Sequence, residues 1–200
     1  MEHVAVRGRP REFCVDQALA KALRVFWSKG YEGASLTDLT EAMGITRPSL
    51  YAAFGNKEAL FRQALDLYET EKMAYIGQAL EQPTARAVAK WLLDGAVASV
   101  TGESEPRGCL SVISSAPCGS EAECIRQEVN RRGRVVHDAF IARMQRAIDE
   151  GDFAGPANAD AITNYLIAVL QGMAVRAGAG ATREELEAIV ETTLALWPGR

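Results

Sequence analysis

The sequence predicts an all-α fold of about nine helices. Apolar residues recur at helical spacing along almost the whole chain, whereas alternating runs of Val, Ile and Thr between turn residues do not occur. Capping residues, glycines and prolines divide the chain into segments of ordinary helix length. With 200 residues, of which 48% are apolar, the chain can bury a substantial core.

Short turns, rather than long loops, separate the first four predicted helices. Ser35 and Asp38 form a weak capping pair at the start of the second helix. Thr46 caps the third helix, which has Pro48 in its first turn, and Asn56 caps the fourth. These signals predict helices over residues 15–29, 35–43, 46–54 and 57–80.

The rest of the chain is predicted to form five more helices. Pro83 and two glycine-containing loops separate them, and a capping box of Ser120 and Glu123 begins the longest one. The predicted spans are residues 85–100, 109–115, 120–149, 157–176 and 182–197.

Charge is distributed unevenly along the chain. The net charge is -4, but residues 1–57 contain eight Lys or Arg against six Asp or Glu, a balance of +2 that leaves -6 for the remainder. A basic N-terminal part on an acidic body can bind phosphate locally. No run of 18 apolar residues occurs and no apolar signal segment follows the N-terminus, so we expect a cytoplasmic protein without a membrane partner.

Cysteine and histidine usage argues against a metal site. The four cysteines are expected to be reduced thiols, because no secretion signal is present. No pair of cysteines has the C-x-x-C spacing of a zinc knuckle, and there are only two histidines. We therefore predict no metal and no cofactor.

Residues 35–54 have the pattern of a helix-turn-helix, in which the second helix enters the major groove of DNA. Thr46 can cap that helix and bind a phosphate, and Arg47 can bind a guanine edge through two hydrogen bonds. Pro48 and Ser49 can lie against base edges. The pattern predicts a reading head at the start of the second helix.

Two further residues extend this predicted surface. Tyr51 lies one turn after Arg47 on the same helix face, so its hydroxyl can meet a phosphate or a base. Lys57 opens the next helix, whose N–H groups can bind the flanking phosphate with it. The alternatives are an ordinary turn at Gly44 and a core position for Tyr51.

Within residues 13–61 the chain reads ALRVFWSKGYEGASLTDLTEAMGITRPSLYAAFGNKEALF. The Phe-x-x-x-Gly-Tyr-x-Gly approach, the Gly-Ile-Thr turn and the Leu-Tyr-x-x-Phe-x-x-Lys-Glu-x-Leu ending together resemble the DNA-binding domain of the TetR/AcrR family of transcriptional regulators. The resemblance implies a three-helix helix-turn-helix domain over residues 1–57. It implies a helical ligand-binding and dimerisation domain over residues 58–200.

The same resemblance implies contacts with a double-stranded DNA operator. It places these contacts at Thr46, Arg47, Ser49, Tyr51 and Lys57, with phosphate contacts at Ser35 and Thr37. Thr40 departs from the family, which usually has Ala there, and suggests slightly looser packing. Ahead of the first helix, the stretch RGRPR around Arg9 resembles a minor-groove arm, the alternative being a solvated terminus.

For the body, the family implies a homodimer, which suits a reading helix that binds weakly alone. The last two helices supply the expected interface through Leu166, Leu170, Met173, Leu186, Ile189, Val190 and Leu194. An apolar or aromatic effector is expected in a pocket lined by Trp91, Cys109, Ile113, Val136, Phe140, Met144 and Tyr165. The alternative for both sets is plain internal core.

Gly108-Cys109-Leu110 resembles a NemR- and ComR-like subgroup, some members of which sense electrophiles or oxidants through a cysteine in this place. Cys109 beside Arg107, and Cys118 just before a predicted helix, are therefore candidate redox thiols. The alternative is that each cysteine is a small buried hydrophobic residue.

Taken together, these features predict a homodimeric repressor released from a palindromic operator by a small molecule. Oxidant sensing through Cys109 and Cys118 is the alternative. The remote alternatives are a non-DNA-binding adaptor and an enzyme that uses Cys109 with His137, although no Ser-His-Asp pattern, phosphate loop or metal cluster supports catalysis. An activator is a further alternative, and it is the family resemblance that favours repression.

Overall fold

The computed structural model describes residues 13–102, 105–115 and 122–199. This part of the chain contains ten α-helices, with a single isolated bridge between Phe153 and Gly199 as its only β-type pairing. None of the described helices is long and apolar enough to cross a membrane. The helices are α1 (Val15–Gly33), α2 (Leu36–Met43), α3 (Arg47–Phe54), α4 (Lys57–Lys72), α5 (Ala74–Leu80), α6 (Ala85–Val100), α7 (Leu110–Ser115), α8 (Glu123–Asp149), α9 (Ala159–Gly178) and α10 (Arg183–Ala195).

The all-α fold is confirmed, with one helix more than predicted. The predicted helix over residues 57–80 divides at Met73, whose backbone leaves the helical region at φ -111° and ψ 9°. The break turns α5 so that Tyr75 packs against Gly95 of α6. Apolar periodicity continues across Met73, which is why the sequence pattern alone predicts one helix.

Side-chain caps begin six of the described helices, and those at Ser35, Thr46 and Asn56 lie at the predicted residues. Ser35 with Asp38 and Thr182 with Glu185 form complete capping boxes, and Thr46 and Asn56 each accept a backbone N–H from the first turn of their helix. The predicted capping box at Ser120 lies outside the described residues. These caps satisfy backbone N–H groups that would otherwise lack an acceptor.

The buried residues of the described chain form two apolar clusters. The first joins α1 to α4, includes Phe26, Trp27 and Phe61, and also takes in Leu110 and Ile125 from α7 and α8. The second lies among α5, α6, α8, α9 and α10. Because α4 contributes to the first cluster beyond the predicted domain boundary at residue 57, this helix joins the N-terminal helices to the body.

A segment that we call the strap, residues 105–110, binds the N-terminal helices. The Trp27 indole, which is fully buried, donates a hydrogen bond to the Gly108 carbonyl at 3.0 Å. The Glu105 carboxylate pairs with Arg24 of α1 at 3.4 Å and with Lys72 of α4 at 3.1 Å. The strap is therefore tied to both long helices of the N-terminal part.

The opposite side of the strap binds the last two helices. Arg107 donates to the Ala181 carbonyl in the turn between α9 and α10 at 2.6 Å. Gly108 has a φ of 89° and lies against α9, so a Cβ there would stand 3.3 Å from the Ala174 carbonyl oxygen. Only glycine fits this left-handed, crowded position without strain. The strap thus joins the DNA-reading end of the fold to the body.

An ion-pair network also holds α4 against α8. Arg132 of α8 pairs with Asp66 at 2.6 Å and Glu69 at 2.8 Å, both on α4. Glu128 accepts hydrogen bonds from Arg131 and Arg132, which lower the pKa of its carboxyl to about 2. The carboxylate therefore stays ionised at neutral pH, and α4 is held from the α8 side as well as by the strap.

The contact between Tyr75 and Gly95 gives a test of the α5–α6 packing. A Cβ at Gly95 would lie 2.5 to 2.8 Å from Tyr75 ring and Cβ atoms, so α5 must shift to make room. We expect Gly95→Ala to lower the free energy of unfolding by about 1–3 kcal/mol, measured by denaturant titration.

Gly77 of α5 is the matched control, because it is exposed and a Cβ there would meet nothing within 4 Å. Gly77→Ala should leave stability unchanged or raise it by up to about 1 kcal/mol through helix propensity. Equal effects of the two substitutions would contradict the close packing at Gly95.

Candidate nucleic-acid interface

The helix α2, the turn at Gly44 and the helix α3 form the predicted helix-turn-helix. Gly44 adopts the left-handed conformation at φ 69° and ψ 34°, and its N–H donates to the Glu41 carbonyl. Leu39 of α2 and Leu50 of α3 are both fully buried and fix the two helices in one core. Gly44 is therefore the turn of a packed two-helix unit rather than a loop residue.

The start of α3 is exposed and positively charged. Arg47 and Pro48 are exposed, and the first turn of α3, described in full, contains no acidic residue. The Thr46 hydroxyl accepts from the Ser49 N–H at 3.3 Å and lies 3.0 Å from the Ser49 hydroxyl. The helix dipole and the guanidinium therefore act together on any anion that approaches this end.

Arg47 also contacts α2. Its Nη2 donates a hydrogen bond to the Thr37 hydroxyl at 3.0 Å, across the face formed by the two helices. The Thr40 hydroxyl donates to the Leu36 carbonyl at 2.8 Å. The polar group that Thr40 brings in place of the family's usual Ala is thus satisfied within α2.

Tyr51 lies on the same exposed surface, with 49% of its area accessible. The core alternative for Tyr51 is therefore wrong, because a core aromatic of this helix would be buried like Phe54. The exposed side chain can therefore be reached by a partner outside the chain.

Ser35 is less suited to phosphate than the resemblance implies. Its hydroxyl lies 2.8 Å from the Asp38 carboxylate and accepts from the Asp38 N–H at 3.0 Å. Hydrogen bonds from Lys29 and Ser35 lower the pKa of Asp38 to about 2, so this carboxylate is negative at neutral pH. A phosphate at Ser35 would meet that charge.

Lys57 begins α4 beside the reading head. Asn56 caps this helix by accepting the Ala59 N–H at 2.7 Å, and the Lys57 ammonium lies 4.4 Å from the centroid of the Tyr31 ring. Sequence reasoning missed Tyr31, which belongs to the quoted Gly-Tyr-x-Gly stretch. It also missed the ion pair of Lys29 with Asp38 at 2.7 Å.

The structure scatters the residues predicted to line an effector pocket. Phe140 and Met144 are buried in the second cluster, Cys109 and Val136 are half-buried at cluster edges, and the remaining three are exposed, namely Trp91, Ile113 and Tyr165. A cleft of about 220 Å³ lies near the turn between α8 and α9, with Phe153, Pro156 and Ile162 among its lining residues. None of the seven predicted residues lines that cleft.

The residues predicted for dimer contacts mostly face their own chain. Of the seven, five are buried, namely Leu166, Met173, Leu186, Val190 and Leu194, and Leu170 and Ile189 are half-buried. They pack in the second cluster, as the internal-core alternative expects. The outer face of α9 instead exposes Tyr165 and Val175, and Leu196 is exposed just after α10.

Two of the predicted site residues, Arg9 and Cys118, lie outside the described residues. Cys109 accepts a hydrogen bond from the Tyr68 hydroxyl at 3.4 Å, whereas His137 lies 3.0 Å from the Asn164 side chain. The pairing of Cys109 with His137 that an enzyme would need therefore finds no support in their contacts.

An exposed, acid-free helix start behind a glycine turn, flanked by a lysine at the next helix start, defines a DNA-binding protein of the helix-turn-helix class. The sequence profile described as "Bacterial regulatory proteins, tetR family" matches residues 18–64. The HTH-type transcriptional repressor ComR of Escherichia coli K12 is 35% identical, over 96% of this chain and 92% of ComR. This chain belongs to the TetR family and is a DNA-binding transcriptional regulator.

Other relatives agree with this assignment. The HTH-type transcriptional repressor BdcR of the same organism is 27% identical, over 90% of this chain and 87% of its own. Among solved structures, a cysteine mutant of the TetR family regulator CifR, complexed with 26-bp operator DNA, has a TM-score of 0.89 and 42% identity. That match covers 96% of this chain and all of CifR. These relatives are regulators, so the enzyme alternative falls.

Proposed function

We propose that this protein is a homodimeric repressor that binds a palindromic DNA operator and leaves it when a small molecule acts on the body. The observation that carries the proposal is the exposed start of α3, where Arg47 stands at an acid-free helix N-terminus. Relatives named as repressors, and the CifR complex with operator DNA, support the same role.

On DNA, α3 would lie in the major groove with its first turn toward the bases. Arg47 would donate two hydrogen bonds to a guanine edge, with Pro48 and Ser49 against neighbouring bases. Thr37, Thr46, Tyr51 and Lys57 would bind phosphates. Because Arg47 bonds to Thr37 in the free protein, its guanidinium is already held at the reading face.

The dimer interface is proposed on the outer faces of α9 and α10. One stripe of α9, every three or four residues, is exposed and carries small or apolar side chains, namely Ala161, Tyr165, Ala168, Gly172 and Val175. Small residues let two helices approach closely, and Tyr165 and Val175 supply apolar area to bury. The buried residues first expected at the interface would support this face from behind.

The effector is proposed to be apolar or aromatic. On α8, Val136, Phe140 and Met144 occupy one helix face at a spacing of four residues and contribute to the second cluster. A ligand that enters between α8 and its neighbours would move the body against the strap. Since the strap binds Trp27 and the α9–α10 turn, such a movement would change the spacing of the two reading heads.

The first test concerns Arg47. Operator sequences would be selected from random DNA with the wild-type protein, and affinity measured by fluorescence anisotropy. We expect Arg47→Ala to weaken operator binding by about 5- to 150-fold per half-site and to relax the preference at one base pair.

Arg146→Ala is the control, because Arg146 is an exposed arginine of α8, far along the chain from α3, that pairs with Glu150. It should change affinity less than twofold. Unchanged affinity and preference in Arg47→Ala would remove Arg47 from base reading. Failure of the wild type to enrich any sequence would favour the adaptor alternative.

The dimer is tested at Val175, which is 60% exposed on α9. A charge there would be buried without a partner in the proposed interface, so Val175→Glu should shift the protein from dimer to monomer in light scattering coupled to gel filtration. Operator affinity should fall with it.

Val135 of α8 is an exposed control at 63%, outside the α9 and α10 faces. Val135→Glu should leave the dimer intact. If the two substitutions act alike, the interface lies elsewhere.

Thiol sensing is a second candidate, favoured by the contacts of Cys109. Its sulfur is half-buried beside the strap glycine and accepts a hydrogen bond from Tyr68 of α4. Burial raises the pKa of the Tyr68 hydroxyl, and the nearby Cys109 sulfur raises it further. The hydroxyl therefore keeps its proton and remains a donor at neutral pH. A group added to the sulfur would displace the Tyr68 hydroxyl and disturb the hydrogen bond from Trp27 to the Gly108 carbonyl.

We expect N-ethylmaleimide to release operator DNA from a variant that retains only Cys109 among the four cysteines. The sulfur adds across the maleimide double bond, forming a C–S bond while a proton goes to the adjacent carbon. Cys109→Ser, with the other three cysteines present, should keep its DNA under the same treatment. Full release from Cys109→Ser would eliminate Cys109 as the sensor.

A further inference from the structure

The Lys57 ammonium is held over an aromatic ring at the start of α4. Its Nζ lies 4.4 Å from the Tyr31 centroid, within the range of a cation–π interaction. Lys57 is the first residue of a 16-residue helix whose N-terminus Asn56 caps. The ammonium therefore stands at a helix N-terminus, where the helix dipole favours anions and where the first-turn acid, Glu58, pairs with Arg62.

Tyr31 is in turn held by two buried rings. It stacks on Phe26 with centroids 6.3 Å apart, and it meets Phe61 edge-on at 5.3 Å and 78°. Both phenylalanines are fully buried in the first cluster, and they belong to α1 and α4. Tyr31 is thus a rigid platform at the junction of α1 and α4.

A lysine side chain has four rotatable bonds and loses conformational freedom when it binds a phosphate. A ring that holds the ammonium in place before binding lowers that cost. We propose that Tyr31 is a positioning residue that presents the Lys57 ammonium to the DNA phosphate flanking the reading helix. This inference rests on the proposed DNA-binding function.

A double-mutant cycle on the full-length protein tests the coupling, with the selected operator as the probe. Tyr31→Leu should weaken binding about threefold to tenfold, whereas Tyr31→Phe, which keeps the ring, should stay within about twofold of wild type. Lys57→Ala should weaken binding and reduce the salt slope by about two, one phosphate per half-site. In the Lys57→Ala background, Tyr31→Leu should have almost no further effect.

Because Tyr31 also packs against Phe26 and Phe61, Tyr31→Leu alone does not separate positioning from packing. Pentafluorophenylalanine at position 31 keeps the shape of the ring but reverses the charge of its face. It should weaken operator binding like Tyr31→Leu while thermal unfolding stays close to that of Tyr31→Phe. Affinity equal to that of Tyr31→Phe, or additive effects in the cycle, would overturn the proposal.

A measurement without DNA separates this proposal from the proposed function. In the free wild-type protein, the Lys57 ε-methylene protons should show an upfield ring-current shift in NMR spectra, and Tyr31→Leu should remove it. Unshifted Lys57 protons in the wild type would overturn the proposed role of Tyr31 even if DNA binding is strong. A wild type that selects no DNA would instead refute the proposed function while these protons still report the ring contact.

Discussion

The hydrogen bond from the Trp27 indole to the Gly108 carbonyl is the contact on which the relation between the reading head and the body depends. Trp27 is fully buried, so loss of its acceptor would leave a polar N–H without a partner, at a cost of about 1–3 kcal/mol. Gly108 cannot be replaced easily either, because its backbone is left-handed and lies against α9. A contact that is costly to break and hard to deform favours two discrete arrangements over a gradual one, which is the property that a switch requires.

Ion pairs also hold α1 and α4 in place, in addition to this hydrogen bond. Glu105 binds α1 and α4 from the strap, while Arg132 and Glu128 hold α4 from α8. The helix α4 is therefore held by the strap on one side and by α8 on the other. Its first residue, Lys57, lies at the DNA-reading end. A shift of α8 or α9 reaches that end through α4 and through the strap together. In the proposed dimer, whose face lies on α9 and α10, the distance between the two reading heads would depend on the arrangement of the strap.

Local signals made the N-terminal part predictable from the sequence. Caps such as Thr46 and Asn56, and the turn at Gly44, depend on neighbours within four residues, and the structure has them where the pattern indicates. The body was less predictable, because α9 is apolar or small around most of its circumference. Periodicity identified Leu166 and Met173 as one stripe but did not say that this stripe faces its own core. The platform of Tyr31 and the strap contacts join residues up to 81 positions apart, which no local pattern encodes.

The placement of acids at three helix starts explains which of them can face DNA. At α2, the Asp38 carboxylate closes the capping box, so that end is occupied by a negative charge even though Lys29 pairs with it. At α4, Glu58 pairs with Arg62, and the Lys57 ammonium lies over the Tyr31 ring. At α3, residues 47–50 read Arg-Pro-Ser-Leu, with no acid at all. By this charge pattern a phosphate would be attracted most strongly to the start of α3 and next to the start of α4, and the order of acids along the chain supports the reading role that we propose for α3.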